Sequence, residues 1–375
     1  MMTMNYPAGQ PAIQMAEMQP TFQFQFQLQL PALPPLIGIQ PAYADQSITF
    51  NDNYVDDCQQ SGAGANNANC DTIVNDGISN AIQTDDNAFN LYDVIINAEG
   101  LNNCDEFDAG DNNVDCINEP SHIVGPVSQT NSPADIPSLT NEIDIVMDDN
   151  LLNDCTEAGN GDNNAACINL GTDSISSITQ TNDATVGDDT VQLNFVGMNQ
   201  DLQLSNVCDE TGLGDNAADC ASRGNFAINF IGPVVQSNDA QGSGDADFTQ
   251  NNNIPTINQV IDAENDCDQS DELTADGNNQ ATCGNGDIDS DEEVHNFIDS
   301  ITQTNDAEGT HVDDIFQDNT ASFSQVLTLN NGCDATTFTF SGDNSALCGN
   351  DTGNAIGPVF QTNDATGLDD VLIDQ

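Results

Sequence analysis

The chain has 375 residues, with 62 acidic side chains against a single base, Arg223, and no lysine, for a formal net charge of -61. That length is ample for packed domains or a repeat array. The charge excludes nucleic acid and anionic lipid as partners, because both are gripped through Lys and Arg.

A disordered acidic tail has few apolar residues, whereas this chain is 37% hydrophobic and holds twelve cysteines. The even cysteine count without C-x-x-C spacing points to disulfides, an oxidising compartment and an extracellular location. The acidity has two readings, a surface kept hydrated in high salt or a carboxylate shell bridged by divalent ions.

Residues 1–44 read either as a leader, cut after Ala44, or as a retained N-terminal extension. Within them, TFQFQFQLQL over 21–30 alternates apolar and glutamine side chains and predicts a strand able to pair with a neighbouring subunit's sheet edge. No stretch reaches the roughly 20 apolar residues of a transmembrane helix.

From residue 45 onward the cysteines form six successive pairs: Cys58 and Cys70, Cys104 and Cys116, Cys155 and Cys167, Cys208 and Cys220, Cys267 and Cys283, Cys333 and Cys348. They define repeats at 45–92, 93–140, 141–190, 191–253, 254–320 and 321–375. Pairing within each cassette is the expectation adopted, with bridges between cassettes or subunits as the alternative. A local bridge closing about a dozen residues contributes on the order of 3 kcal/mol in the chain-entropy view.

Each second cysteine ends the pattern G-x-N-x-[AV]-x-C, whose asparagines are Asn66, Asn112, Asn163, Asn216, Asn279 and Asn344. Spacing of two places asparagine, the small apolar residue and cysteine on one strand face, with the glycine turning into the strand. A glutamine follows downstream in every repeat: Gln83, Gln129, Gln180, Gln236, Gln303 and Gln361. Four of these sit in an alternating apolar-x-Gln-x-Asn-x-Ala face, and three are approached through Gly-Pro-Val at Gly125, Gly232 and Gly357. Equivalent strands stacked at about 4.8 Å would let both sets of amides pair with the copies above and below. The expected fold is therefore all-β, a tandem array that is either β-solenoid-like or built of stacked small β units with disulfide-stapled loops.

Little chemistry is encoded. His122, His295 and His311 lie in no nucleophile or metal-binding motif and read as surface or turn residues, so the chain reads as a non-enzyme with no catalytic residues and no cofactor. The strongest local cation motif is GDIDSDEE, with Asp287, Asp289 and Asp291 at alternate positions, but Glu292 stands where an EF-hand needs glycine. Calcium or another divalent cation remains the ligand this composition invites.

In these amide-bearing motifs the chain resembles the curlin-like repeats of secreted fibre proteins, whose Gln-x-Gly-x-x-Asn-x-Ala pattern stacks strands through amide ladders. It resembles more closely the Asn/Gln-rich, cysteine-paired repeat proteins of archaeal and bacterial cell surfaces. The repeats here are more than twice curlin length, and curlins lack the paired cysteines. The resemblance implies a self-assembling structural subunit of a cell-surface filament, sheath or matrix, whose partners are copies of itself and divalent cations. The rival expectation is a calcium-dependent adhesin or a glycan- or ice-binding module.

Overall fold

The computed structural model describes residues 43–373, apart from 61–65, 79–80, 86–88, 109–111, 133–137, 160–161, 187–188, 213–215, 244–246, 272–278, 286–293, 311–313, 337–343, 351 and 367–369. In parts of the strands bordering those stretches only the main chain is described. The strand expected over 21–30 lies outside the described residues.

Every element among the described residues is a β-strand, arranged as six successive coils. The first comprises β1 (Tyr43–Gln60), β2 (Asn66–Ile78) and β3 (Ala81–Asp85); the second β4 (Phe89–Asp108), β5 (Asn112–Val124) and β6 (Val127–Asn131). The third comprises β7 (Ser138–Gly159), β8 (Asn163–Ile175) and β9 (Ile178–Val186); the fourth β10 (Thr190–Gly212), β11 (Asn216–Ile231) and β12 (Val234–Ser243). The fifth has β13 (Phe248–Asp271), β14 (Asn279–Asn285), β15 (Val294–Ile298) and β16 (Ile301–Thr310). The sixth has β17 (Asp314–Thr336), β18 (Asn344–Asn350), β19 (Thr352–Ile356) and β20 (Val359–Thr366), and β21 (Asp370–Ile373) follows.

Equivalent strands stack in parallel into three sheets. Sheet A is β1-β4-β7-β10-β13-β17-β21; sheet B contains β2, β5, β8, β11, β14 and β18 with β15 and β19; sheet C is β3-β6-β9-β12-β16-β20. The fold is thus an all-β, solenoid-like repeat array. Parallel strands need crossovers, and here each coil supplies two sides of its neighbour's crossover, so no helix is required.

Register explains why the repeat is legible. Cys58, Cys104, Cys155, Cys208, Cys267 and Cys333 align across sheet A, and the six glutamines from Gln83 to Gln361 align across sheet C. Drift in repeat length is taken up locally. Coil four gains residues between Cys220 and Asn225, where the pairing of β11 shifts. Coil five gains residues both between β13 and β14 and between β14 and β15. In β13, Pro255 lacks an N–H and sits in a bulge, at the register shift between Ile254 and Ile257.

Each long sheet A strand lies across the core from the B and C strands of its own coil. Asn206 on β10 reaches Asn225 on β11, and Asn194 on β10 reaches Asn238 on β12. The centre is aliphatic: Ile145 and Met147 of β7 pack with Ile175 and Ile178 at the junction of sheets B and C. At that junction Gly-Pro alternates with Ser or Asp from coil to coil: Gly125-Pro126, Ser176-Ser177, Gly232-Pro233, Asp299-Ser300, Gly357-Pro358. A Cβ on Gly232 would collide with the Ser176 carbonyl oxygen, and one on Gly357 with that of Asp299. Glycine lets one chain turn directly over the carbonyl of the coil before it. The proline carbonyls still accept, Pro233 from Ile178 N–H at 2.9 Å and Pro358 from Ile301 N–H at 3.0 Å.

Candidate functional site

The interior is filled with amides as much as with hydrocarbon. In sheet C, Nε2 of Gln129 donates to Oε1 of Gln83 at 2.7 Å, Gln180 to Gln129 at 3.0 Å, Gln236 to Gln180 at 2.9 Å, Gln303 to Gln236 at 2.8 Å and Gln361 to Gln303 at 2.7 Å. Gln83 to Gln303 are buried and Gln361 is half-buried. Each amide has two donors and one acceptor oxygen, so a column of identical amides can satisfy itself indefinitely.

Asparagines do more, because their columns interlock across the core. Asn90 on β4 donates to Asn131 on β6 at 2.7 Å, Asn131 to Asn141 on β7 at 3.0 Å, Asn141 to Asn182 on β9 at 3.0 Å, and Asn182 to Asn194 on β10 at 3.0 Å. The zigzag continues through Asn238, Asn252, Asn305 and Asn319 to Asn363. A second zigzag joins sheets A and B: Asn118 to Asn153 at 2.7 Å, Asn153 to Asn169 at 3.0 Å, Asn169 to Asn206 at 2.8 Å, Asn206 to Asn225 and Asn225 to Asn265 at 3.0 Å.

The asparagines singled out from the sequence, Asn66, Asn112, Asn163, Asn216, Asn279 and Asn344, align along sheet B, but their side chains lie outside the described residues. The sheet A members of both zigzags were not anticipated. A signal existed for one set: Asn102, Asn153, Asn206, Asn265 and Asn331 each stand two residues before a cysteine.

Beside the second zigzag run the cysteines. Cys104 bridges Cys116 and Cys155 bridges Cys167, with Cα atoms 6.7 and 6.6 Å apart, and all four are fully buried. Cys208 and Cys267 are also disulfide-bonded, and the described cysteines include no free thiol. The sulfurs of Cys155, Cys167 and Cys208 lie within 4.8 Å of one another, so successive bridges stack along the solenoid. The side chains of Cys58, Cys70, Cys220, Cys283, Cys333 and Cys348 are outside the described residues.

One interior position departs from amides and hydrocarbon. His122 on β5 is not a surface or turn residue, as its isolation in the sequence suggested; it is fully buried. Its Nδ1 lies 3.0 Å from Asp149 Oδ2 on β7 and 3.2 Å from Asp173 Oδ1 on β8, and both carboxylates are fully buried. The column it occupies runs Asp76, His122, Asp173, Asn229, Asn296, Asn354, so an amide ladder gives way to ionisable groups at one end. Burial lowers the imidazole, but hydrogen bonds and charge from Asp149 and Asp173 outweigh it and lift His122 to about 10. Burial, then the neighbouring Asp149, pushes Asp173 up to about 8. Half-buried His295 lies on β15, and His311 is outside the described residues. So are Asp287, Asp289 and Asp291.

The outer face of sheet C is equally periodic. Asp183, Asp239, Asp306 and Asp364 align, beside the column Thr84, Thr130, Thr181, Ser237, Thr304 and Thr362. Burial and then the flanking Asp183, Asp306 and Glu308 hold the Asp239 carboxyl above its usual range. No helix among the described residues is long and apolar enough to cross a membrane. The chain matches no protein-family model, no curated protein and no solved structure.

Proposed function

We propose that the chain is an extracellular, non-enzymatic structural subunit that stacks end to end with copies of itself into a cell-surface filament, sheath or matrix. The observation that carries this reading is the state of the last complete coil. Ile356 and Val359 are in register with Ile298 and Ile301, which are fully buried, yet they are 45% and 41% exposed. Apolar positions that every inner coil buries are left open. An open parallel edge with in-register amide columns is a template for another coil of the same kind, and soluble proteins otherwise cover such edges. The disulfides imply an oxidising environment, consistent with assembly outside the cell. The acidic exterior then stays hydrated or is bridged by divalent cations.

Negative-stain microscopy and light scattering of the oxidised protein, with and without millimolar calcium, test the proposal. Filaments with an axial subunit repeat of about 29 Å, six coils at about 4.8 Å each, are expected. A monodisperse monomer at all concentrations and ionic conditions would overturn it.

A second reading, a calcium-dependent adhesin or a glycan- or ice-binding module, is favoured by the outward hydroxyl column of sheet C beside its carboxylate column. Retention on a glycan array or inhibition of ice recrystallisation by a protein that forms no filament would select it.

A further inference from the structure

We propose that His122, Asp149 and Asp173 form a buried site for one divalent transition-metal ion of the zinc class, held inside the second and third coils. Three donors on three strands converge there, with His122 Nδ1 3.0 Å from Asp149 Oδ2 and 3.2 Å from Asp173 Oδ1. Ligand atoms bound to one ion at about 2.1 Å stand roughly 3 to 3.4 Å from each other, so the spacing already matches a coordination shell.

A salt-bridged histidine accounts for less of the site. One Nδ1–H cannot serve two carboxylates fully, and Asp149 Oδ1 and Asp173 Oδ2 are buried with no hydrogen-bond donor among the described residues. One step along the same column, Asn229 Oδ1 is also buried without a donor, because its neighbour in the column is the carboxylate of Asp173, which has no N–H to offer, while Asn229 Nδ2 donates onward to Val260 O and Asn296 Oδ1. Single acceptor oxygens elsewhere in the columns also lack a donor, Asn90 Oδ1, Asn118 Oδ1 and Gln317 Oε1 among them, but here several such oxygens gather around a single point. Two carboxylates with a neutral imidazole carry two negative charges, which one divalent ion cancels in a place where an uncompensated charge is costly. The nitrogen ligand selects against calcium and magnesium, which prefer all-oxygen shells, and for zinc and its surrogate cobalt.

The full-length protein is to be unfolded and reduced, stripped with chelator, then refolded and reoxidised with Zn²⁺ or Co²⁺, and desalted against EDTA in high salt. That wash removes cations from the exposed carboxylates, whereas a fully buried ion exchanges slowly. About one equivalent of zinc per chain is expected to remain. The cobalt form is expected to show visible ligand-field absorption that zinc, present during refolding, abolishes.

His122→Asn places in the column the residue found at its last three positions, Asn229, Asn296 and Asn354, and is expected to fold while retaining at least tenfold less metal. Asp149→Asn is the second variant, should the first not refold. Refolded wild-type protein that retains no zinc, gives no cobalt band, or keeps as much metal as a folded His122→Asn variant would overturn the site and leave a proton as the group shared between the carboxylates.

Discussion

Asn182 Nδ2 donates to Asn194 Oδ1 at 3.0 Å, and this contact joins the third coil to the fourth across the core as well as up the stack. Asn194 passes the pattern on to Asn238 at 2.9 Å and to Asn252 at 2.9 Å. Replacing Asn194 by alanine strands several buried amide groups at once, and each orphaned group costs about 1–3 kcal/mol. Asn194→Ala is therefore expected to lower unfolding free energy by several kcal/mol in denaturant titration of the oxidised protein. Asn258→Ala, which breaks a 2.8 Å bond to Asn199 on a half-buried outer column, is expected to cost less than about 1 kcal/mol. Equal losses at the two sites would show that the interlocked columns contribute no more than a surface pair.

The corner glycines provide a second contrast. Gly232→Ala drives a Cβ into the Ser176 carbonyl, main chain against main chain, and is expected to destabilise by about 3 kcal/mol or more. At Gly77 the nearest atom to a new Cβ is the Ile123 carbonyl oxygen at 4.0 Å, so Gly77→Ala stays within about 0.5 kcal/mol. Thermal melts of the two variants side by side decide the matter.

Removing a disulfide tests the staple. Cys155 and Cys167 are twelve residues apart in sequence, and the double change Cys155→Ser, Cys167→Ser is expected to cost about 3 kcal/mol through the freed unfolded chain. The loss disappears if the comparison is made under reducing conditions, where neither protein holds a bridge.

Stacked carboxylates should make the fold more stable on mild acidification. The folded-state pKa of Asp239 is raised by burial and by Asp183, Asp306 and Glu308. The folded chain therefore binds a proton more readily than the unfolded chain, and the destabilisation from this column is present in full above the folded pKa. It is relieved as pH falls toward the ordinary carboxylate range. The melting temperature is expected to rise between pH 7 and pH 5 and with added salt, and Asp239→Asn to flatten both trends. A melting temperature that falls over the same interval in wild type but not in the variant would contradict the sign.

End-on assembly has its own variant. Val359→Glu places a charge on the open coil, at a side chain that is already 41% exposed although its register partner Ile301 is fully buried. Filament formation is expected to be lost while the circular-dichroism spectrum and melting temperature of the monomer are unchanged. Undiminished filaments would place the contact elsewhere.

Most of what could be read in the sequence concerns neighbours within a sheet. The glutamines from Gln83 to Gln361, the aligned cysteines and the Asn-x-Ala faces of β9, β12 and β16 repeat because parallel in-register stacking sets each residue on its own copy in the next coil. A two-residue period then names the inward face, and a conserved spacing names the contact. Spacings that vary, as after Cys220 and Cys283, mark only where a strand is interrupted.

Contacts across the core obey no such period. Which residue of the long sheet A strand meets which residue of sheets B and C depends on where the chain turns, and those turns are set by loop length and by the Gly-Pro corners. That is why Asn141 meeting Asn182, and His122 meeting Asp149 and Asp173, were invisible beforehand. The sequence by itself determined the motif-bearing strands of sheets B and C, their period-two faces and the in-line order of the repeats, because those follow from repetition alone. The tertiary structure alone decided the pairing across the interior, because it joins positions that share no spacing, and with it the one place where buried carboxylates and an imidazole converge.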